Sequence, residues 1–155
     1  MYDTITRVPM LVWAPGLFEG GREETALCQQ MDIGPTFLEL AGAEIDPALE
    51  AESILPALRG EPWSGREMVF AEHGRDGILQ ETESMSMIRT REWKLVHFLG
   101  EEFGQLFDLG ADRGEVDNLC DRPEAEVQKQ SLLAALREWH IRSQCRTSDW
   151  AADWR

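Results

Sequence analysis

The first half of the chain has two kinds of apolar pattern. The run from Val8 to Trp13 is almost continuous and is followed by the turn pair Pro15-Gly16. A continuous run predicts a strand buried on both faces, as in a parallel α/β sheet. Between Asp32 and Gly42 the apolar residues recur at helical spacing, which predicts a helix with Asp32 able to cap its first turn. A shorter helix is predicted over 53–58.

The second half changes to short apolar segments separated by tight polar connections such as Arg91-Glu92, which favour antiparallel hairpins. Pro123 then opens a long predicted helix with Leu132, Leu136 and Trp139 on one face. The strands are predicted at 68–72, 84–90, 93–98 and 105–108. The predicted class is α+β: a four-stranded antiparallel sheet packed by a C-terminal helix, preceded by a strand–helix fragment. The first strand has no parallel partner in the chain.

Composition narrows the function classes. The 155 residues carry a formal net charge of -14, which argues against a nucleic-acid partner because phosphate binding needs a basic face. No apolar stretch is long enough to span a bilayer, and the first residues do not resemble a signal peptide, so we expect no membrane partner. Three widely spaced cysteines favour free thiols in a reducing compartment, and the cytoplasm is the expected location.

Several blocks in order resemble the sulfatase family. The segment from Gly104 to Leu119 is similar to the family's C-terminal signature, with Phe107 in place of the usual Tyr. The blocks Arg7–Trp13, Gln30–Gly42, Ser53–Gly60 and Met87–Leu95 also match family patterns, although Ala51 stands where the family usually has Gly. Each block is weak alone, but their order over roughly residues 2 to 140 is specific.

This resemblance implies the alkaline-phosphatase-like superfamily and sulfuric ester hydrolysis on a small sulfated substrate. It places 1–62 as a C-terminal fragment of the large α/β catalytic domain, 63–146 as the C-terminal subdomain, and 147–155 as a tail. Such enzymes use a formylglycine, made from the Cys of a C-x-P-S-R motif, and a divalent metal, usually calcium. Both would come from the part of the fold that precedes the Arg7–Trp13 block. For this chain we therefore expect no cofactor, no catalytic residue and no metal ligand.

The residues support that expectation. Cys28, Cys120 and Cys145 all lack the C-x-P-S-R context, and the three histidines show no metal-ligand spacing. The acidic residues of the signature are interpreted as a structural turn, in which Asp108 or Asn118 bonds nearby backbone amides and links the last strand to the final helix. We expect the chain to be inactive alone. One alternative is a non-catalytic interaction or substrate-binding module that completes another chain; a second is a different hydrolase using His73 with an acidic partner.

His73 and Arg75 are the candidate substrate-binding residues, because they follow a predicted strand and open a polar loop. Arg89 and Lys94 are expected to pair with surface acids. The segment from Val8 to Trp13 leaves apolar faces and unpaired strand edges without its parallel neighbours. A homo-oligomer formed through this N-terminal strand is the expected assembly.

Overall fold

The computed structural model describes residues 1–76 and 82–147. The helices are α1 (Asp3–Thr6), α2 (Ile33–Leu40), α3 (Leu55–Arg59) and α4 (Glu126–Thr147), and the strands are β1 (Val69–Gly74), β2 (Ser84–Arg89), β3 (Trp93–Phe98) and β4 (Gly104–Asp108). Short 3-10 turns precede α2 and α4. Two compact units are present: Met1–Val8 with Glu67–His140, and Pro9–Arg66 with 141–147 of the described residues. The predicted tail lies, from 148 onward, outside the described residues.

The first unit contains the predicted sheet. Its four strands lie in the order β1-β2-β3-β4, and each pair is antiparallel. The α+β prediction, including the long C-terminal helix, is therefore confirmed. On one side of the sheet, Ile88, Leu95 and Leu106 form a continuous apolar row that packs against Leu132 and Leu136 of α4.

Aromatic side chains extend the contact between the sheet and α4. Phe70 of β1 stacks on Trp139 with ring centroids 4.5 Å apart and planes inclined by 3°. Trp93 also packs on this core, which confirms that both tryptophans join sheet and helix. Met85 and Met87, predicted to be core residues, are buried on the opposite side of the sheet.

The predicted N-terminal strand does not form. Residues 9–13 have no regular secondary structure, and the preceding residues fold instead into α1. Leu11 and Trp13 are 89% and 82% exposed. The physical reason is that a single extended segment gains no ladder hydrogen bonds and buries no face without neighbouring strands. Among the described residues the segment has no strand partner.

The second unit is built around a buried carboxylate. Asp32 lies at the start of α2. Contrary to the prediction, its side chain makes no capping hydrogen bond to that helix. Its carboxylate accepts hydrogen bonds from the backbone N–H groups of Gln29 and Glu52, at 2.8 and 2.9 Å, and forms an ion pair with Arg66. A 2.9 Å bond from Arg66 Nε makes that pair bidentate. Asp32 therefore ties together three separate segments of this unit.

Within the described residues, no helix is both long and apolar enough to cross a bilayer.

Candidate functional site

The predicted substrate-binding residues lie where β1 ends. His73 is partly exposed, and its Nε2 lies 3.2 Å from Asp76 Oδ2. The Arg75 backbone N–H donates to the Glu83 carbonyl at 2.9 Å, and its guanidinium lies 3.6 Å from the Glu83 carboxylate. Each candidate thus has an acidic neighbour. His73, predicted to follow the strand, lies within β1 and pairs with Met85 of β2, whereas Arg75 lies in the loop that follows. Part of that loop, residues 77–81, lies outside the described residues.

A buried ionic cluster on the side of the sheet opposite α4 was missed by the sequence interpretation. We call Asp3, Arg89, Lys94 and Glu115 the Lys94 cluster. Lys94 is fully buried, and its Nζ forms ion pairs with Asp3 and, at 2.5 Å, with Glu115 Oε1. Arg89 adds a bidentate pair to Asp3, with distances of 3.2 and 3.1 Å. The expectation that Arg89 and Lys94 pair with surface acids is therefore wrong for Lys94, whose partner Glu115 is also buried.

The cluster fastens the N-terminal segment to the sheet. The Asp3 backbone N–H, at the start of α1, donates to Glu115 Oε2 at 2.5 Å. Burial alone would raise the pKa of Asp3, but hydrogen bonds and charge attraction from Lys94 and Arg89 hold it below its usual value. Glu115 has a left-handed backbone conformation, with φ of 55°. That conformation is uncommon for a non-glycine residue, so these contacts hold Glu115 in it.

The signature turn is a structural joint, as predicted. Asn118 Oδ1 accepts hydrogen bonds from the backbone N–H groups of Leu106 (2.9 Å) and Cys120 (3.1 Å), and its Nδ2 donates to the Gly104 carbonyl at 2.9 Å. We call these contacts the Asn118 joint. They connect β4 to the segment that leads into α4. The predicted link between the strand and the final helix is confirmed.

Two aspartates shape the turn between those contacts. Asp108 Oδ1 accepts from the backbone N–H groups of Gly110 and Ala111, at 3.0 and 3.2 Å. Asp112 Oδ2 accepts from those of Val116 and Asp117, at 2.7 and 2.8 Å. Such backbone bonds, chiefly from Asp117, lower the pKa of Asp112 below its usual value. The carboxylates of Asp108 and Asp112 thus accept hydrogen bonds from backbone N–H groups of the turn itself.

The described residues do not fit the family's metal or nucleophile. They include no group of three or more His, Cys, Asp or Glu side chains that could hold a metal ion. Cys28, Cys120 and Cys145 are free thiols. Burial raises the pKa of Cys28 and of Cys120, which favours the unreactive protonated form.

One sequence signal could have revealed the cluster. In β3, Lys94 shares a strand face with Val96 and Phe98, both buried. A lysine in such an apolar row must be exposed at an edge or buried with acids. Its partners Asp3 and Glu115 lie 91 and 21 positions away in the chain, so spacing could not identify them.

Comparison with known proteins agrees with this geometry. The class that the fold and the turn define is the C-terminal part of a sulfatase. A family model described as N-sulphoglucosamine sulphohydrolase, C-terminal, matches residues 1–142, and the chain belongs to this family.

Curated relatives point the same way. The chain is 26% identical over 142 residues to the N-acetylglucosamine-6-O-sulfatase of Bacteroides thetaiotaomicron, covering 89% of this chain and 25% of that protein. It is 32% identical over 145 residues to mouse (Mus musculus) arylsulfatase K, covering 88% of this chain and 26% of that protein. The chain therefore spans about a quarter of the length of these relatives.

Solved structures share the fold. A 2-O GAG sulfatase superposes with a TM-score of 0.63 at 26% identity, over 74% of this chain and 25% of that one. A phosphonate monoester hydrolase from Silicibacter pomeroyi gives a TM-score of 0.65 at 27% identity, over 88% of this chain and 28% of that one.

Proposed function

We propose that the chain serves sulfuric ester hydrolysis as the C-terminal part of a sulfatase whose substrate is a sulfated sugar. The observation that carries this proposal is the family match over residues 1–142. Support for a sugar substrate comes from the relatives, which include the N-acetylglucosamine-6-O-sulfatase and a Delta 4,5-hexuronate-2-O-sulfatase of Bacteroides thetaiotaomicron. The Lys94 cluster and the Asn118 joint tie the signature turn to the sheet through ion pairs and hydrogen bonds, as a domain that supports a neighbouring active site requires.

The proposal includes inactivity of these 155 residues when they are assayed alone. Sulfate ester cleavage in the parent enzyme is assigned to a formylglycine and a divalent metal such as calcium. This sequence has no C-x-P-S-R motif, and its described residues include no group of three or more His, Cys, Asp or Glu side chains that could hold a metal ion. The alternative of a non-catalytic module that completes another chain predicts the same inactivity, together with binding to that chain.

An activity assay tests the proposal. The purified chain is incubated with an aryl sulfate and with N-acetylglucosamine 6-sulfate, and the Bacteroides relative serves as the positive control. We expect no turnover by the chain and tight association with a separately produced N-terminal part of that relative. Turnover of either ester by the chain alone would overturn the inactivity. Association with no gain in turnover would favour the interaction module.

A second candidate is the hydrolysis of a phosphonate monoester by the parent enzyme. The observation favouring it is the Silicibacter pomeroyi structure, which superposes on 88% of this chain. The assay of the chain mixed with the N-terminal part of the Bacteroides relative therefore includes a phenyl phosphonate monoester. Faster turnover of the sulfate ester supports the first proposal, and faster turnover of the phosphonate supports the second.

Substrate contact is assigned to His73 and Arg75. Both are partly exposed, His73 near the end of β1 and Arg75 just after it, and Arg75 supplies a guanidinium suited to a sulfate group. The pairing of His73 with Asp76 also matches the acidic partner required by the alternative His73 hydrolase. A His73→Gln variant separates substrate binding by His73 from catalysis by His73. If the isolated chain hydrolyses an ester and the variant does not, His73 is catalytic. We expect only weaker sugar binding.

Self-association through the N-terminal segment is also proposed. Val8, Leu11, Trp13 and Leu17 are all more than half exposed, which makes residues 8–17 an apolar surface suited to a second copy of the chain. Sedimentation equilibrium should show a dimer that Trp13→Ser shifts toward monomer. Val127→Ser, at another exposed apolar position, is the matched control. A wild-type monomer at high concentration would contradict this proposal.

The cytoplasm is the proposed location, supported by the three free thiols. Fractionation of the producing cell tests it, and recovery of the chain outside the cytoplasm would reject it.

A further inference from the structure

A cleft lies between the sheet and α4, beside the apolar core that joins them. Its volume is ≈ 500 Å³, a size that suits a small ligand such as a single sugar residue. The floor includes Leu133 and Leu136. The polar lining includes Glu72, Ser84, Ser86, His97, Arg137 and His140.

The strand register explains why this end of the interface is polar. Glu72, Ser86 and His97 are direct neighbours across β1, β2 and β3. Side chains two positions apart on a strand share a face, so this row lies on the same side of the sheet as Ile88 and Leu95. The Ile88 row is filled by apolar contacts with α4, whereas the Ser86 row lines open space. Within this row Ser86 is buried, and a buried hydroxyl is costly unless it finds a partner, whereas Glu72 and His97 are exposed to solvent.

The carboxylate of Glu72 in this cleft already has a neighbouring partner. Glu72 Oε1 lies 3.3 Å from His140 Nδ1. The carboxylate therefore has an imidazole beside it within the cleft.

Most hydrogen-bond donors that line the cleft have no partner among the described residues. Arg137 forms no ion pair within the described part of the chain, and its Nε makes only a 3.4 Å bond to the Leu133 carbonyl one turn earlier. The side chains of Ser84, Ser86 and His97 have no hydrogen-bond partner among the described residues, although Ser86 is buried. One permanent positive charge and three further hydrogen-bonding side chains thus line one space.

From this arrangement we propose that the cleft between β1–β3 and α4 binds a small ligand through an oxyanion group, a sulfate, phosphate or carboxylate. Arg137 supplies the charge and four further N–H donors on its two terminal NH2 groups, and the serine hydroxyls and the His97 imidazole complete the hydrogen bonds. The apolar floor on α4 accommodates the carbon skeleton. This inference does not depend on the proposed sulfatase function.

NMR titration of the wild-type chain tests the proposal with three probes: inorganic sulfate, inorganic phosphate and N-acetylglucosamine 6-sulfate. Unsulfated N-acetylglucosamine is the negative probe. We expect saturable shifts of the backbone amides of Ser84, Ser86 and His97 with at least one anionic probe. The probe with the highest affinity identifies the oxyanion. No saturable shift of these amides with any anion would overturn the proposal.

Variants of exposed residues locate the binding without disturbing the fold. Arg137→Gln should weaken binding at least about tenfold, since it removes a charge-assisted bond. Arg91→Gln, an exposed arginine on the β2–β3 hairpin, makes the same change in net charge away from the cleft. Glu72→Gln should tighten binding, because it removes the negative charge from the lining. Equal weakening by Arg137→Gln and Arg91→Gln would reject a specific site, as would saturable shifts confined to His73 and Arg75.

Discussion

Lys94 Nζ lies 2.5 Å from Glu115 Oε1, and both side chains are buried. The pair joins the middle of β3 to the turn that follows β4, and Asp3 adds the N-terminal segment to the same ammonium group. Three distant parts of the sequence thus depend on one positive charge. Buried charges are stable only when their partners are in place, so the cluster specifies the arrangement of these segments.

Lys94→Met should destabilise the first unit strongly. The substitution keeps the length of the side chain but leaves Asp3 and Glu115 without their shared cation, and removal of one member of a buried pair costs about 3–5 kcal/mol. Urea unfolding followed by tryptophan fluorescence measures the loss.

A double-mutant cycle isolates the pair itself. Combining Lys94→Met with Glu115→Gln should cost less than the sum of the two single changes, because the second change removes the uncompensated charge. Strict additivity would contradict a direct interaction. Arg91→Gln, on the exposed hairpin, should change the unfolding free energy by less than about 0.5 kcal/mol.

Stability should fall as the solution is acidified below about pH 4. Asp3 and Asp32 both have a pKa below the usual 3.8. For Asp32, burial acts to raise the pKa, but hydrogen bonds from Arg66 and from the backbone of Glu52 and Gln29 lower it. A group whose pKa is depressed in the folded state stabilises the fold above its unfolded pKa and loses that contribution as pH falls through the folded value.

Urea midpoints measured from pH 7 to pH 2 test this expectation. The wild-type midpoint should be nearly constant above about pH 5 and should drop below about pH 4. Asp32→Asn should be less stable at neutral pH and should show a shallower acid slope. An unchanged acid slope in that variant would show that Asp32 has no depressed pKa.

Asn118→Ala should loosen the connection between β4 and α4. The change removes a side chain that accepts two backbone hydrogen bonds and donates one. Unsatisfied buried groups cost about 1–3 kcal/mol, so we expect a loss of that size. Amide hydrogen exchange should accelerate at Leu106 and Cys120. Asp117→Ala, an exposed neighbour, is the control, and equal effects of the two changes would count against the joint.

Gly104→Ala should destabilise the sheet by about 1–3 kcal/mol through a steric clash. A Cβ at this position would lie 2.8 Å from Cys120 Sγ, which is buried, and 3.4 Å from the Val96 carbonyl oxygen. Gly74→Ala at the end of β1 is a matched control, since no heavy atom lies within 4 Å of the added carbon. Thermal melts of the two variants provide the comparison. A Gly104 variant as stable as the Gly74 variant would show that β4 can shift to make room.

The local pattern of the sequence was sufficient to predict most of the helices and strands. Alternation and tight turns identify β1 to β4, and the apolar stripe ending at Trp139 identifies α4, because these signals arise between residues close in the chain. The same locality identifies the Asn118 turn, whose hydrogen bonds span at most 14 positions. By contrast, the apolar run from Val8 to Trp13 predicts a strand only if parallel neighbours are present. A ladder of backbone hydrogen bonds needs two strands, so the apolar run alone could not determine whether a strand forms.

The sequence by itself determined the family, the antiparallel sheet with its packed helix, and the structural nature of the acidic turn. Only the tertiary structure decided which charges are buried together and which donors are left without partners. Lys94 meets Asp3 across 91 positions, and Ser86, His97 and Arg137 meet around one cleft through strand register and helix packing. The physical reason is that Coulomb attraction and desolvation depend on distance in space and on burial, neither of which is encoded in local periodicity.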